Sequence, residues 1–335
     1  MQNALVLIVL CFAFSSESVA RERALFSLYE SSDSPSDLAE QTHAIDALLG
    51  RLQIGGFADV YNERSAKSRL DGQYRVGQVE VGLSADLGSR VGIEAAVARD
   101  GSAPALAVLV ADFRLVAPSE VLQSRLGVES LNVLVGRFDV PFGIDWHVYP
   151  SIDRLLVSGP LVVDGTHGGW NDLGVQAYAE AGRFDLVGYA VRGADIDAAE
   201  WAAGTRVGVR SGNAVLGLSL AGLHDGSGLL NRRLLGADIQ WSFSLLSAKA
   251  EYVRRWPAAR GQDGVHHGAY AQGTWNNQRY FAVARLGALE TADGDEKRLS
   301  VGGGWRLWEN GQLRMEFQAN SAAREVLFTQ LVIGF

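Results

Sequence analysis

The 335-residue sequence has one cysteine, seven prolines and no apolar run long enough for a membrane-spanning helix. A single thiol cannot form an internal disulfide, which excludes a disulfide-stabilised mini-protein. The longest uninterrupted apolar run, residues 4–14, is shorter than the roughly 20 residues that a helix needs to cross a bilayer. A polytopic helical membrane protein is therefore excluded as well.

Basic residues are outnumbered, with 30 Lys and Arg against 38 Asp and Glu and a formal net charge of −8. This balance argues against a protein that binds the phosphate backbone of nucleic acids. The sequence contains no P-loop, G-x-S-x-G or H-E-x-x-H motif and no Ser/His/Asp grouping. We therefore expect neither an enzyme nor a bound cofactor or metal. Glycine is abundant, at 39 residues, which is typical of many strands joined by tight turns.

The first twenty residues have the pattern of a signal peptide. Residues 4–14 match the length of its apolar region, and Ser18-Val19-Ala20 supplies a cleavage site of small residues, so that the mature chain begins at Arg21. The preceding residues lack the usual Lys or Arg, and a buried apolar segment is the alternative. Cleavage would also remove Cys11, and with it any cysteine-based metal site or nucleophile.

Residues 21–50 are expected to form an N-terminal periplasmic segment with a short helix. Ser34 can cap that helix, Pro35 suits its first position, and Gly50 follows its last turn. The apolar stripe over residues 35–49 has helical spacing. We favour a periplasmic helix ahead of the region that begins at Arg51. If that region closes into a barrel, a plug in its lumen is a second placement, and a small coiled-coil element is a third.

From Arg51 onward the apolar residues recur with a period of two. In residues 312–320, for example, Leu313 and Phe317 face away from Arg314 and Glu316, as in a strand with one apolar and one polar face. Sixteen such segments are predicted: 51–61, 74–86, 90–99, 104–115, 131–142, 171–180, 184–192, 201–210, 214–224, 232–243, 245–256, 265–275, 279–288, 297–307, 312–320 and 325–335. Some segments alternate poorly, so counts of 14 and 18 strands stay open.

Short turns alternate along the chain with longer polar connections, as in outer-membrane barrels. The longer ones are 62–73, 143–170, 193–200, 225–231, 257–264 and 289–296, whereas 116–130 and 321–324 break the rule. Aromatic residues lie near segment ends or on the apolar face, as in a membrane-interface girdle: Tyr61, Trp241, Phe243, Tyr252, Trp305, Phe317 and Phe335. The predicted fold is all-β, a transmembrane antiparallel β-barrel of about sixteen strands over residues 51–335.

Two segments resemble known families. The last strand places Leu331, Ile333 and the terminal Phe335 on one face, which resembles the C-terminal signal that the barrel-assembly machinery reads in bacterial outer-membrane proteins. The segment Val-Gly-Arg-Phe-Asp-Val-Pro-Phe-Gly at residues 135–143 resembles a short motif of the phosphate-selective porin (O/P) superfamily. That resemblance implies that loop 143–170 folds into the barrel.

Three motif residues are candidates for holding this loop. Pro141 lacks an amide donor and ends the strand, and Gly143 lets the chain turn inward. Arg137 either anchors the loop through ion pairs together with Asp139 or faces water. The family's anion preference is not carried over, because its lumen is rich in lysine and this chain has little.

A closed barrel of about sixteen strands encloses an aqueous channel, and the polar faces nominate its lining. The candidate basic residues are Arg206, Arg210, Lys249, Arg285, Arg298, Arg306 and Arg314. The candidate acidic residues of the wall or constriction are Glu80, Glu94, Asp139, Asp145, Asp153, Asp238, Glu251 and Glu316. Either an arginine ladder faces acidic loop residues and creates a transverse field, or the charges form scattered ion pairs that keep the wall wet.

The predicted function is a porin of the Gram-negative outer membrane, through which small hydrophilic solutes or ions diffuse passively. Its partners would be outer-membrane lipid and lipopolysaccharide, with a homotrimer possible by analogy with the class. A structural or adhesion barrel, closed by loop 143–170 or the helix over 35–49, is the alternative, and a barrel-embedded hydrolase comes last. The solute and the ion preference stay open.

Overall fold

The computed structural model describes residues 51–65, 72–101, 103–116, 127–146, 150–193, 196, 199–224, 230–256, 265–321 and 325–335. In these ranges no helix has the length and apolar character needed to cross a membrane. The predicted signal peptide, Cys11 and the helix over residues 35–49 lie outside the described residues.

Sixteen antiparallel strands form a single closed barrel, which confirms the predicted fold and strand count. Each strand pairs with its neighbours in sequence, so the topology is an up-and-down meander. The strands are β1 Leu52–Ser65, β2 Tyr74–Asp86, β3 Val91–Arg99, β4 Ala105–Val116, β5 Val128–Asp139, β6 Asn171–Ala181, β7 Phe184–Val191, β8 Trp201–Ser211, β9 Ala214–His224, β10 Leu230–Phe243, β11 Leu246–Trp256, β12 His266–Asn276, β13 Tyr280–Thr291, β14 Gly294–Trp308, β15 Gly311–Asn320 and β16 Val326–Gly334.

The barrel closes where the C-terminal strand meets the first one. Leu331 on β16 pairs with Val60 on β1, and Ile333 pairs with Ala58. The Phe335 N–H donates to the Gly56 carbonyl at 3.0 Å, and the Gly56 N–H donates back at 3.2 Å. Closure leaves the sheet without an unpaired edge that could recruit another chain.

Several predicted boundaries are wrong. β1 runs to Ser65 rather than to residue 61, and β5 begins at Val128 rather than at residue 131. The segment 289–296 is not a longer loop, because β13 continues to Thr291 and β14 begins at Gly294. The Thr291 hydroxyl donates to the Gly294 carbonyl at 3.0 Å and so closes this tight turn. The fifth strand ends at Asp139 rather than at residue 142. Beyond it Pro141 has no N–H for the ladder and Phe142 packs inside the barrel.

The outer face of the barrel is apolar. Leu216, Leu218 and Leu220 alternate along β9 and are each nearly half exposed, because they face away from the lumen. Exposed aromatic residues collect near the ends of strands that short turns join: Phe184, Trp241, Phe243, Trp275, Tyr280, Trp305 and Trp308. Tyr61 does not belong to the outer face, because it pairs with buried Gln330, which in turn pairs with the lumenal Arg314.

The apolar core lies inside the barrel, between the wall and the connection from β5 to β6. This connection covers residues 140–170 and is named here the lumenal loop. Its described residues contain one short helix, α1, at Leu161–Thr166, which buries Leu161, Val162 and Val163. These side chains join a cluster with wall residues such as Leu234 and Val253. Packing against the interior therefore holds the lumenal loop within the barrel.

Candidate functional site: the lumenal loop and the channel wall

The lumenal loop leaves the wall at a paired root. The Val140 N–H donates to the Trp170 carbonyl at 2.8 Å, so the two ends of the loop stay side by side. Phe142 is completely buried and meets the His167 ring edge-on at 4.9 Å between centroids. Burial lowers the pKa of His167 to about 4, against a weaker opposite effect of Asp145. At pH 7 the imidazole is therefore neutral and packs against Phe142 where the loop leaves the wall.

The first contact with the opposite wall is made by the backbone. The Gly143 N–H donates to the Ser219 hydroxyl at 3.1 Å, and the Ile144 N–H donates to the Glu251 carboxylate at 3.2 Å. Gly143 has a φ of +71°, and a Cβ atom at this position would collide with the Glu251 carboxylate. Glycine is therefore required here, and Glu251 serves as a loop acceptor on β11.

Asp145 provides a second attachment. Its carboxylate forms an ion pair with Lys249 on β11 and accepts a hydrogen bond of 2.5 Å from the Tyr270 hydroxyl on β12. Asp145 is buried, so this charge is compensated by two partners within the lumen. Lys249 is thereby engaged by the loop and does not stand alone on the wall.

The tip of the loop reaches the strands on both sides of the barrel closure. The Ser151 hydroxyl donates to Asp59 on β1 at 2.6 Å, and the Ser151 N–H donates to the Gln78 side chain on β2 at 2.8 Å. Arg314 on β15 donates to the Ser151 carbonyl at 2.6 Å and also to the Arg154 carbonyl. The loop therefore spans the interior from β5 to β1.

The returning part of the loop is held by Glu316 and Arg285. Glu316 on β15 accepts hydrogen bonds from the Ser158 N–H at 2.8 Å and from its hydroxyl at 2.6 Å. Arg285 on β13 donates to the carbonyls of Ser158 and Gly159, both at 2.9 Å. Arg285 and Arg314 point inward as predicted, yet they are 5% and 1% exposed. Both guanidiniums lie beneath the loop, where they donate hydrogen bonds to its carbonyls, and neither faces open water.

Helix α1 completes the attachment on β11–β14. Arg255 donates to the Thr166 carbonyl at 3.3 Å, and Arg298 lies 3.9 Å from Asp164. Burial raises the pKa of the Asp164 carboxyl, whereas Arg298 acts in the opposite direction. Arg298 also contacts Asn320 at 2.8 Å and Glu296 at 3.4 Å. This guanidinium therefore bridges the wall and the helix.

A cavity of about 190 Å³ separates part of the loop from the wall. Polar and charged side chains of Lys249, Gln272, Thr274 and Arg285 form its wall side. On the loop side it is bounded by Asp145, Asp153, Arg154, Leu155, Leu156, Ser158, Gly159 and Pro160. The loop thus covers this part of the wall incompletely.

The other predicted basic residues form ion pairs or hold turns. Arg206 binds both carboxylate oxygens of Asp238, with the longer contact at 2.9 Å. Arg210 lies 2.8 Å from Asp185 and 3.6 Å from Glu180. Arg306 donates to the side chain of Asn276 at 2.8 Å and to the Asn277 carbonyl at 2.7 Å, so it holds the β12–β13 turn.

The register places Arg137, a predicted loop anchor, on the outer face of the barrel. Arg137 pairs with Leu109 and Leu173, which are 53% and 50% exposed on the outer face. Asp139 follows with the same parity and accepts a hydrogen bond of 2.8 Å from Asn171 beside it. By the alternation of neighbouring side chains Asp139 shares the face of Arg137, yet it lies within electrostatic range of Glu80, so its place on the channel wall stays a prediction.

Several residues of the site were not predicted from the sequence. Asp59, Gln78 and Tyr270 carry loop contacts, and their inward parity was the available signal. Ser151 and Ser158 carried no local signal, because their partners are 92 and 158 residues away in the sequence. Within the residues that the structure describes, no group of three or more His, Cys, Asp or Glu is placed to hold a metal ion.

Known structures share this fold. An anion-selective porin from Comamonas acidovorans matches with a TM-score of 0.63 and 13% identity over 85% of this chain and 99% of that chain. OmpF of Salmonella typhi, in complex with daunomycin, matches with a TM-score of 0.62 and 8% identity over 85% and 97%. The trimer form of OmpT, an outer membrane protein of Vibrio cholerae, matches at 0.61 and 10% over 85% and 99%. No protein-family model and no curated protein sequence matches this chain. At these identities the likeness establishes the barrel fold.

Proposed function

We propose that this chain is an outer-membrane porin through which small hydrophilic solutes or ions diffuse passively. The observation that supports this is a closed sixteen-strand barrel with an apolar outer face and a charged inner face. A barrel of this size is wide enough to enclose water. The lumenal loop crosses that interior and is anchored at both its tip and its return, so it would narrow the passage and set a size limit.

The export and assembly of the protein form part of this proposal. Residues 1–20 would direct secretion and be removed, and residues 21–50 would remain in the periplasm before the barrel. Leu331, Ile333 and Phe335 would be read by the barrel-assembly machinery, and the outer face would contact outer-membrane lipid and lipopolysaccharide. Support comes from the exposure of Ile333 and Phe335 on the outer face.

The finer family proposal is a relationship to the phosphate-selective porin (O/P) superfamily. It rests on the nine-residue segment that begins at Val135, whose last residues lead from β5 into the lumenal loop. The conformation of Gly143 and its contact with Glu251 give this segment a physical role at the start of the loop. The anion preference of that superfamily is not part of the proposal.

A homotrimer is proposed on the basis of the outer face of β5 and β6. Arg137, Asp139 and Asn171 are polar residues on a face that elsewhere carries residues such as Val135. Charged residues on a lipid-facing surface are unfavourable unless they reach the interface or are covered. A second copy of the chain would cover them.

Liposome swelling tests the porin function. Purified protein in phosphatidylcholine liposomes should admit neutral sugars at a rate that falls as the sugar becomes larger, and liposomes without protein provide the baseline. The apolar packing of the loop favours one other candidate, a structural barrel with a closed lumen. Absence of both swelling and a steady ohmic current would support that candidate and reject the porin.

A further inference from the structure

The lumenal charges are separated between two halves of the wall. A continuous row of paired residues runs through Glu180, Asp185, Gly208, Gly217, Asp238 and Glu251, and Glu251 contacts the lumenal loop. The same parity places seven carboxylates of β2–β7 toward the lumen: Glu80, Asp86, Glu94, Asp112, Asp172, Glu180 and Asp185. Asp172 among them is buried. The inward bases lie mainly on later strands: Arg206, Lys249, Arg255, Arg285, Arg298 and Arg314.

The lumenal loop covers the basic half except at the cavity beside Lys249 and Arg285. Lys249, Arg255, Arg285, Arg298 and Arg314 each contact a carboxylate or carbonyl of the loop. Arg206 is bound by Asp238 across two strands. Lys249 and Arg298 face loop carboxylates, and Arg285 lies 3.9 Å from Glu316, so the field of each of these pairs falls off within a few ångströms. Arg255 and Arg314 contact loop carbonyls, which leave the charge of the guanidinium in place but cover it.

The acidic half stays accessible to water. Bases reach it as well: Arg114 lies 2.8 Å from Asp86, Arg210 lies 2.8 Å from Asp185, and the Arg75 guanidinium lies 5.8 Å from the centre of the Tyr61 ring. In the described part of the chain neither Glu80 nor Glu94 takes part in an ion pair, and Glu94 is exposed. The Glu80 carboxyl lies within electrostatic range of Asp139, of Glu94 and, more weakly, of the exposed Asp153 on the loop tip. Carboxylates therefore line the wall of β2 and β3 beside the loop tip, which itself touches β2 through the Ser151 N–H.

We infer that this channel conducts cations in preference to anions, with Glu80 and Glu94 as the residues that set the preference. Rings of carboxylates raise the local concentration of cations and repel anions. The inference rests on the proposed porin function and assigns it a substrate class. Its sign is set by which half of the wall the loop covers, because the inward charges of the whole barrel are mixed.

The test is the reversal potential of purified protein in a planar bilayer under a KCl gradient. We expect a K⁺/Cl⁻ permeability ratio above unity, on the order of threefold, and a fall of about twofold in Glu80→Gln/Glu94→Gln. Asp293→Asn removes a carboxylate from the exposed β13–β14 turn and should leave the ratio unchanged. Far-UV circular dichroism checks that each variant retains its strands.

The outcomes separate the two proposals. A steady current with a ratio at or below unity in the wild type overturns the cation preference and leaves the porin function intact. A cation-selective wild type whose ratio does not change in the double variant overturns the assignment to Glu80 and Glu94. Absence of any current together with absence of sugar-driven swelling rejects the porin function itself. The wild-type ratio decides the sign even if the double variant fails to fold.

Discussion

Glu316 on β15 accepts two hydrogen bonds from Ser158 in the lumenal loop, one from the amide at 2.8 Å and one from the hydroxyl at 2.6 Å. Glu316 is 1% exposed, and the Arg285 guanidinium lies 3.9 Å away. Arg285 itself holds the carbonyl of the same serine. One buried pair of opposite charges therefore grips both the N–H and the C=O of a single loop residue.

Replacing Glu316 by alanine should loosen the loop. Ser158 would lose both acceptors and Arg285 would stay buried without its carboxylate, at a cost of about 3 kcal/mol. We expect a larger unit conductance and more rapid current fluctuations in planar bilayers. Glu309→Ala, in the exposed β14–β15 turn, is the matched control. Currents indistinguishable from that control would contradict the anchoring role of Glu316.

Replacing Gly143 by alanine should destabilise the barrel more than the same change at Gly182. Both glycines have a positive φ, +71° and +58°, so both variants incur a backbone cost of about 1 kcal/mol. A Cβ atom has open space at Gly182 but meets the Glu251 carboxylate at Gly143. We therefore expect the additional loss only for Gly143→Ala.

Urea unfolding of both glycine variants in lipid vesicles, followed by tryptophan fluorescence, measures this difference. Equal shifts of the two unfolding midpoints would mean that Glu251 moves aside at little cost, and that the close approach of Gly143 to β11 is dispensable.

Removing Arg206 should cost more than removing Arg206 and Asp238 together. Arg206→Ala leaves the Asp238 carboxylate, whose side chain has no exposed surface, buried without its cation, at a cost of about 3 to 5 kcal/mol. The double variant Arg206→Ala/Asp238→Ala removes that charge, so part of the stability should return. A double-mutant cycle of unfolding free energies measures the coupling, and additive losses would show that the pair contributes nothing beyond its separate contacts.

Acidification should weaken the root of the loop through His167. Its folded pKa of about 4 lies below the ordinary value of 6.5, so the unfolded ring takes up a proton first as the pH falls. The contribution of His167 is complete above pH 6.5 and is lost as the pH falls to about 4. At pH 4.5 the loss should amount to about 2.5 kcal/mol.

His167→Gln removes this titration and keeps a polar side chain that can hydrogen-bond with the Thr166 hydroxyl, as the imidazole does. The unfolding free energies of wild type and variant are compared at pH 7 and pH 4.5. The carboxyl groups titrate in both proteins, so the difference between the two pH-dependent losses belongs to His167. A drop of the same size in both proteins would show that the imidazole is protonated without loss of packing.

The strands were predictable because their signal is local. The alternation of Leu313, Met315 and Phe317 with Arg314, Glu316 and Gln318 follows from the two faces of a strand, and the structure puts the first three outside. Sixteen such segments in a row favour a barrel, because closure turns every polar face toward a water-filled interior and every apolar face outward. The predicted β13–β14 loop was wrong because charged residues such as Asp295 and Glu296 fit the rim of a long strand as well as a loop.

The use of each inward charge was decided only by the tertiary structure. From the sequence alone Arg314 and Glu94 are equally good candidates for the channel lining, because both are charged residues on the polar faces of strands. The lumenal loop buries Arg314 against the Ser151 carbonyl and leaves Glu94 exposed. The path of the loop depends on contacts between residues up to 163 positions apart, and no local pattern encodes such distances. The two-residue period of the strands thus determines the barrel, whereas the position of the lumenal loop determines which charges a solute in the channel meets.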